Sequence, residues 1–289
     1  MSIVKVLVPV TGSKRDAVAL ATAFAAAKPF GAHVKAIFCH PDPREAAVPY
    51  AEMPLAPDVV QELVDTARDL ASAASKSARS TLASAAQDAQ VRIVAAPQMA
   101  ETVTASFEEK VGHVNTCIEL SAQLCDLIVF PPIGEDDPDE LHEAFVRTLT
   151  KTERPVLLCA DIAPSHVGQN IAIGWDGGMA AAHALSAALP YLRKANSVKL
   201  YTVKDRSGPS EELEEVKTYL SLHGVAVTTG VIERGAKSVA EHLTDAAASA
   251  GCDMLVVGGY GHSRMVETVF GGVTQFVASH PRIPIFMVH

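Results

Sequence analysis

The apolar positions of this chain fall into short, nearly continuous runs separated by longer stretches with helical spacing. Ile3 to Val10 is the first run; closed by Thr11-Gly12-Ser13, it reads as a buried strand followed by a helix cap at Ser13. Asp16 to Lys28 is then an alanine-rich helix, His33 to His40 a second strand, and Pro41 to Pro57 a proline-rich loop, long for a compact domain. The pattern predicts a long helix from Asp58 to about Gln87, a third strand over Val91 to Ala95 and a helix over Ser106 to Leu124. A fourth strand over Asp126 to Pro131, a helix over Pro138 to Thr152 and a strand over Pro155 to Ala160 complete the unit.

The same rhythm then starts again. Residues 161–168, with Pro164, Ser165 and Gly168, read as a linker. Strands over Asn170 to Trp175, Ser197 to Lys204, Val225 to Ile232, Asp253 to Val257 and Ile283 to Val288 alternate with helices over Gly178 to Lys194, Glu211 to His223, Ser238 to Ala250 and Ser263 to Ser279. This predicts a tandem α/β chain of two doubly wound domains, residues 1–160 and 169–289, each with a five-stranded parallel sheet. Near-continuous apolar strands need helices on both faces, and ligands in such sheets sit beyond the carboxyl ends of the strands, where the strand order reverses. Three pieces of the second half converge there: Gly174-Trp175-Asp176-Gly177, Val203, and a loop that starts at Gly258.

That loop reads Gly258-Gly259-Tyr260-Gly261, nine residues, then Gly271-Gly272-Val273-Thr274. A strand feeding glycines into a helix start makes an anion site, because glycine lets the backbone approach closely and unpaired N–H groups at the helix start favour phosphate oxygens. Without a ligand, the same glycines make a tight turn. His262 and Arg264 at the loop's mouth read either as added positive charge for a phosphate or as solvated surface, and Tyr260 either covers the loop or touches ligand.

The spacing resembles the nucleotide-binding signature of the universal stress protein family: glycine, two residues, glycine, nine residues, glycine, then a hydroxyl side chain. The resemblance implies a Rossmann-like (HUP-type) fold and an adenine nucleotide, ATP or AMP, with Mg accompanying ATP. It also implies a nucleoside contact at Asp176, an adenine contact at Val203, and phosphate contacts along Gly258, Gly261, Gly271, Gly272, Val273 and Thr274. Two positions depart from the family. Gly272 stands where the hydroxyl belongs, with Thr274 two residues on as a substitute, and Trp175 replaces a small residue, so its indole either stacks on a base or fills the base's place. Asp176 reads equally as the cap of the following helix. In the family the last strands pair across an interface; Val156 to Cys159 and Ile283 to Val288 are apolar enough to pair within the chain or across a homodimer.

The first half has lost the signature. It reads Pro131-Pro132-Ile133-Gly134-Glu135-Asp136-Asp137-Pro138, two prolines without N–H groups and three acids where phosphate would sit, and Thr11 stands for the aspartate. It is predicted not to hold ATP. A P-loop lysine, a nucleophile elbow and kinase motifs are absent from the sequence, so the expectation is a stress-response binding protein and not an enzyme, with slow hydrolysis open. The alternative is a nucleotide-independent binding module, in which the helix from Asp58 and the loop residues Tyr50, Met53 and Leu55 form an apolar pocket or partner groove.

Composition narrows the partners. A formal charge of −9 argues against a nucleic-acid or anionic-membrane surface, and no run of the sequence approaches the ~18 consecutive apolar residues of a membrane span. Met1 leads into a strand with no signal-peptide pattern, and five cysteines without C-x-x-C spacing fit reduced thiols, so a cytoplasmic location is expected. The eleven histidines show no metal-site spacing.

Overall fold

The computed structural model describes residues 2–50, 56–97, 100–133, 139–204, 211–259 and 281–289. In the first half the strands are β1 (Lys5–Val10), β2 (His33–His40), β3 (Arg92–Ile93), β4 (Thr104–Val111), β5 (Leu127–Phe130) and β6 (Val156–Leu158). Its helices are α1 (Asp16–Ala27), α2 (Pro57–Asp88), α3 (Val114–Ala122) and α4 (Asp139–Lys151). The second half supplies β7 (Asn170–Gly174), α5 (Met179–Leu192), β8 (Ser197–Lys204), α6 (Glu211–Leu222), β9 (Thr228–Glu233), α7 (Val239–Ser249), β10 (Met254–Gly258) and β11 (Ile285–Val288).

Among the described residues these strands make one sheet, in the order β3-β4-β2-β1-β5-β6-β11-β10-β7-β8-β9. All neighbours run parallel except β6 and β11, which meet antiparallel with Leu157 opposite Phe286. The seam is dry, since Val156, Leu157, Ile285 and Phe286 are fully buried. Tyr191 of α5 adds a second tie: its hydroxyl donates to the Ala26 carbonyl of α1 at 2.9 Å, and its ring packs edge-on against Phe30. Alternation along the strands divides the core into two layers. Val6, Val8, Ile171 and Ile173 pack toward α1, α2, α5 and α6, whereas Leu7, Ile128, Ala172 and Leu255 pack toward α3, α4 and α7.

An aspartate starts the fourth principal strand of each half and fastens it to the first. The Asp126 carboxylate accepts N–H bonds from Val4 and Lys5, and that of Asp253 accepts from Gly168, Gln169 and Asn170. With Val6 opposite Leu127 and Ile171 opposite Met254, this register makes Thr11 the counterpart of Asp176, Asp16 of Ala181, and Pro131 of Gly258.

One predicted element is wrong. The segment read as a helix over Ser106 to Leu124 starts as strand β4, which pairs with β2 along its whole length, from His33 opposite Thr104 to His40 opposite Val111. The charged run Glu108-Glu109-Lys110 resembles an exposed helix face; besides the local pair of Lys110 with Glu108 at 3.5 Å, its partners are tertiary. Glu108 pairs with Lys35, and Glu109 with Arg79 at 2.9 Å. Gly112 then breaks the strand at φ 146°, and α3 follows. β4, beside β2, is therefore the counterpart of β9 beside β8, and the predicted third strand survives as the two-residue edge β3.

The halves also differ in one helix. α2 has 32 residues and its counterpart α6 has 12, a difference of roughly 30 Å of helix at 1.5 Å per residue.

Candidate functional site

In the second half the chain runs outward from β7 to β8 and β9, then returns to β10 on the other side of β7. The strand order reverses between β7 and β10, so the crevice lies where β7 ends in Trp175-Asp176-Gly177-Gly178 and β10 ends in Gly258-Gly259.

Gly258 is the first signature glycine, and its immediate role is packing. A Cβ there would lie 2.5 Å from the Ala181 nitrogen and 2.7 Å from the Ala180 carbonyl carbon, so only glycine lets β10 end against the first turn of α5. Gly259 sits on the seam side, where a Cβ would meet Leu149 of α4 at 3.0 Å; its N–H donates to the Val288 carbonyl at 2.8 Å. His289 Nδ1 lies 3.1 Å from the Gly259 carbonyl oxygen.

Asp176 is exposed. Its carboxylate accepts from the Gly178 N–H at 2.8 Å, closing a turn two residues ahead of α5. The helix-cap reading is corrected accordingly, because the N-cap position belongs to Gly178. Gly177 takes a left-handed φ of 78°, and no described atom lies within 4 Å of a Cβ built there. Trp175 is half-buried. Its backbone N–H donates to the Tyr201 carbonyl at 2.8 Å, its ring packs into the α1, α2, α5 and α6 layer, and among the described residues no acceptor reaches its indole Nε1. Val203 is half-buried in the opposite layer, with α7. The sheet thus separates Trp175 from Val203, although β7 and β8 are neighbours. The calls on Gly261, His262, Gly271, Gly272, Val273 and Thr274, and those on Tyr260 and Arg264, lie outside the described residues.

The corresponding turn of the first half has the same shape and different contents. Gly12 has φ 83°, matching Gly177. Here, however, Asp16 reaches back: its carboxylate accepts from the Gly12 N–H at 2.7 Å, the Thr11 N–H at 3.0 Å and the Thr11 hydroxyl at 3.3 Å. Asp16 is 1% exposed, and burial pushes its carboxyl above the ordinary value against the pull of these donors. α2 closes the turn from above. A Cβ on Gly12 would lie 2.6 Å from the Ala74 carbonyl oxygen, and Ser77 Oγ donates to the Gly12 carbonyl at 2.9 Å. The hydroxyl of Ser13, expected as the cap of α1, accepts from the Arg15 N–H at 3.3 Å, and the N-cap residue is Arg15. Sequence reading missed Asp16; an acid in the first turn of α1, five residues after Thr11, was the available signal.

The sequence model of the universal stress protein family matches residues 169–289. This half of the chain is similar in sequence to the universal stress protein family. Solved structures extend the likeness of fold across both halves. A universal stress protein from Archaeoglobus fulgidus superposes with a TM-score of 0.66 at 12% identity, covering 98% of this chain and 97% of that one. A Pseudomonas aeruginosa protein described as a universal stress protein gives 0.54 at 16% identity, over 99% and 93% of the two chains. No curated protein matches the sequence. Within this universal stress protein fold, no group of three or more His, Cys, Asp or Glu side chains suited to a metal occurs among the described residues. All five cysteines are free, and no helix of the described residues is long and apolar enough to cross a membrane.

Proposed function

We infer that the second half binds an adenine nucleotide, ATP or AMP, with its phosphates on the glycine loop from Gly258 to Thr274 and its nucleoside beside Asp176. The protein then acts by binding and not by turnover. The observation that carries this reading is the contrast between the two first-strand turns: the turn at Gly12 is filled by Asp16 and covered by α2, and no described residue crowds the turn at Gly177. The exposed carboxylate of Asp176 is an acceptor at that turn suited to ribose hydroxyls. Mg would travel with ATP, held chiefly by phosphate oxygens and water. The first half, which holds a carboxylate where an anion would approach, serves as the fixed partner of the pair. Free thiols and a nucleotide ligand support a cytoplasmic location for such a protein.

Isothermal titration with ATP and with AMP tests the reading. Binding to the wild-type chain that weakens at least tenfold in Gly261→Ala or Gly271→Ala supports it, and heat that is absent, or equal in all three proteins, refutes it. Phosphate release no faster than a buffer blank is the expected result for a binding protein.

A further inference from the structure

The first half carries a cleft of a different character over the carboxyl ends of β1 and β2. A cavity of about 390 Å3 lies between α2 on one side and α3 and α4 on the other, walled by Val10, Ile37, Phe38, Leu70, Ile118 and Leu141. Next to it is a second cavity of about 350 Å3 whose charged walls are Arg68, Lys76, Arg79 and Glu109. The two cavities share His40 and Ala71. Both rest on α2, which has 32 residues against the 12 described for α6. Helical spacing puts Ala67, Ala71 and Ala74 toward the apolar chamber and Arg68, Ser72 and Lys76 toward the charged one.

The charged cavity has a surplus of positive charge. Glu109 is occupied, accepting from Ser75 Oγ at 2.8 Å and from Arg79 at 2.9 Å, with His40 Nε2 3.6 Å away. Arg79 is fixed in place by its guanidinium lying 4.0 Å over the Phe107 ring. Arg68 bonds Asp65 at 2.5 Å, and Lys76, exposed, makes no ion pair among the described residues. The acid of the apolar chamber, Glu140, belongs to α4, across the chamber from α2 and its cations. His40 Nδ1 lies 2.8 Å from the Pro41 carbonyl oxygen, so its Nε2 faces the cavity side of Glu109. With the two arginines ion-paired, the net surplus is the charge of Lys76, and an apolar chamber that opens beside it is complementary to a molecule with an apolar body and one anionic end.

We propose that this cleft binds a small amphipathic anion of the alkyl carboxylate class, with its chain in the apolar chamber and its carboxylate at Lys76, Arg79 and His40. The chamber volume falls within the range of about 300–1,000 Å3 common for small-molecule sites. The site is distinct from the nucleotide reading of the second half and stands without it.

Octanoate, 1-octanol and inorganic phosphate are the probes, titrated into the full chain with and without ATP. Octanoate is expected to bind one per chain, at least tenfold more tightly than either 1-octanol or phosphate, and ATP to leave its affinity unchanged. Lys76→Glu, a change at an exposed position, should weaken octanoate about tenfold and leave 1-octanol unaffected. Ala71→Trp should fill the chamber and weaken octanoate and 1-octanol together, with circular dichroism confirming the fold. Three outcomes overturn the proposal: octanoate that does not bind, octanoate no tighter than 1-octanol or phosphate, or octanoate indifferent to Lys76→Glu. Competition by ATP would move the ligand to the second half and overturn it equally.

Discussion

The turns after β1 and β7 share a backbone and differ in what occupies them. Both pass through a left-handed glycine, φ 83° at Gly12 and 78° at Gly177, and both stand where the first strand of a doubly wound sheet hands over to its helix. In one, a buried carboxylate takes the exposed N–H groups and a long helix lies on top; in the other, the aspartate is exposed and the glycine is uncrowded by described residues. The same backbone shape therefore holds different contents in the two halves. A single residue in the first helical turn marks the difference: Asp16 fills the first turn with its carboxylate, and Ala181 at the corresponding position has no side-chain acceptor with which to do so.

The largest expected effect comes from removing the close approach that defines the open half. Gly258→Val forces side-chain atoms onto the α5 backbone at 2.5–2.7 Å and should destabilise the chain by about 3 kcal/mol or more, read as a shift of the urea midpoint. Next is the filled turn. Asp16→Ala strands the N–H groups of Thr11 and Gly12 beneath α2 and should cost about 2 kcal/mol, as for other buried donors left without an acceptor. Its pH dependence sharpens the contrast. The folded carboxyl titrates above its unfolded value of 3.8, so the native state holds this proton more tightly than the unfolded chain. The stability gap between wild type and Asp16→Ala should be widest below pH 3.8 and narrow as pH rises through the folded value. A gap that widens over that window would show that the hydrogen bonds outweigh burial. The smallest stability effect belongs to Asp176→Ala, about 0.5 kcal/mol by the loss of one exposed turn hydrogen bond, checked by thermal unfolding alongside nucleotide titration. If the turn is the site, binding falls while stability hardly moves.

Much of this architecture was legible because apolar runs of four to eight residues leave few alternatives: β1, β2, β5, β7, β8, β10 and the length of α2 follow the hydrophobic pattern closely. β4 was not legible, since Glu108, Glu109 and Lys110 carry the charge density of a helix surface and their partners Lys35, Arg79 and Ser121 are distant in sequence. The site was legible in part. The glycines at 12 and 258 announced themselves, but what each meets depends on Ala74 at the first and on Ala180 and Ala181 at the second, residues without a functional signature. Trp175 and Val203 are neighbours by strand order and are separated by the sheet because of the side on which each falls in the alternation.

The antiparallel meeting of β6 and β11 uses an edge strand of each half against the other. Joined by a single polypeptide, the two halves encounter each other at an effective concentration set by their tether, so diluting the protein does not separate them. The partnership is always one to one, and each partner is always the same. That constancy lets the two halves diverge in what their turns contain without jeopardising the assembly.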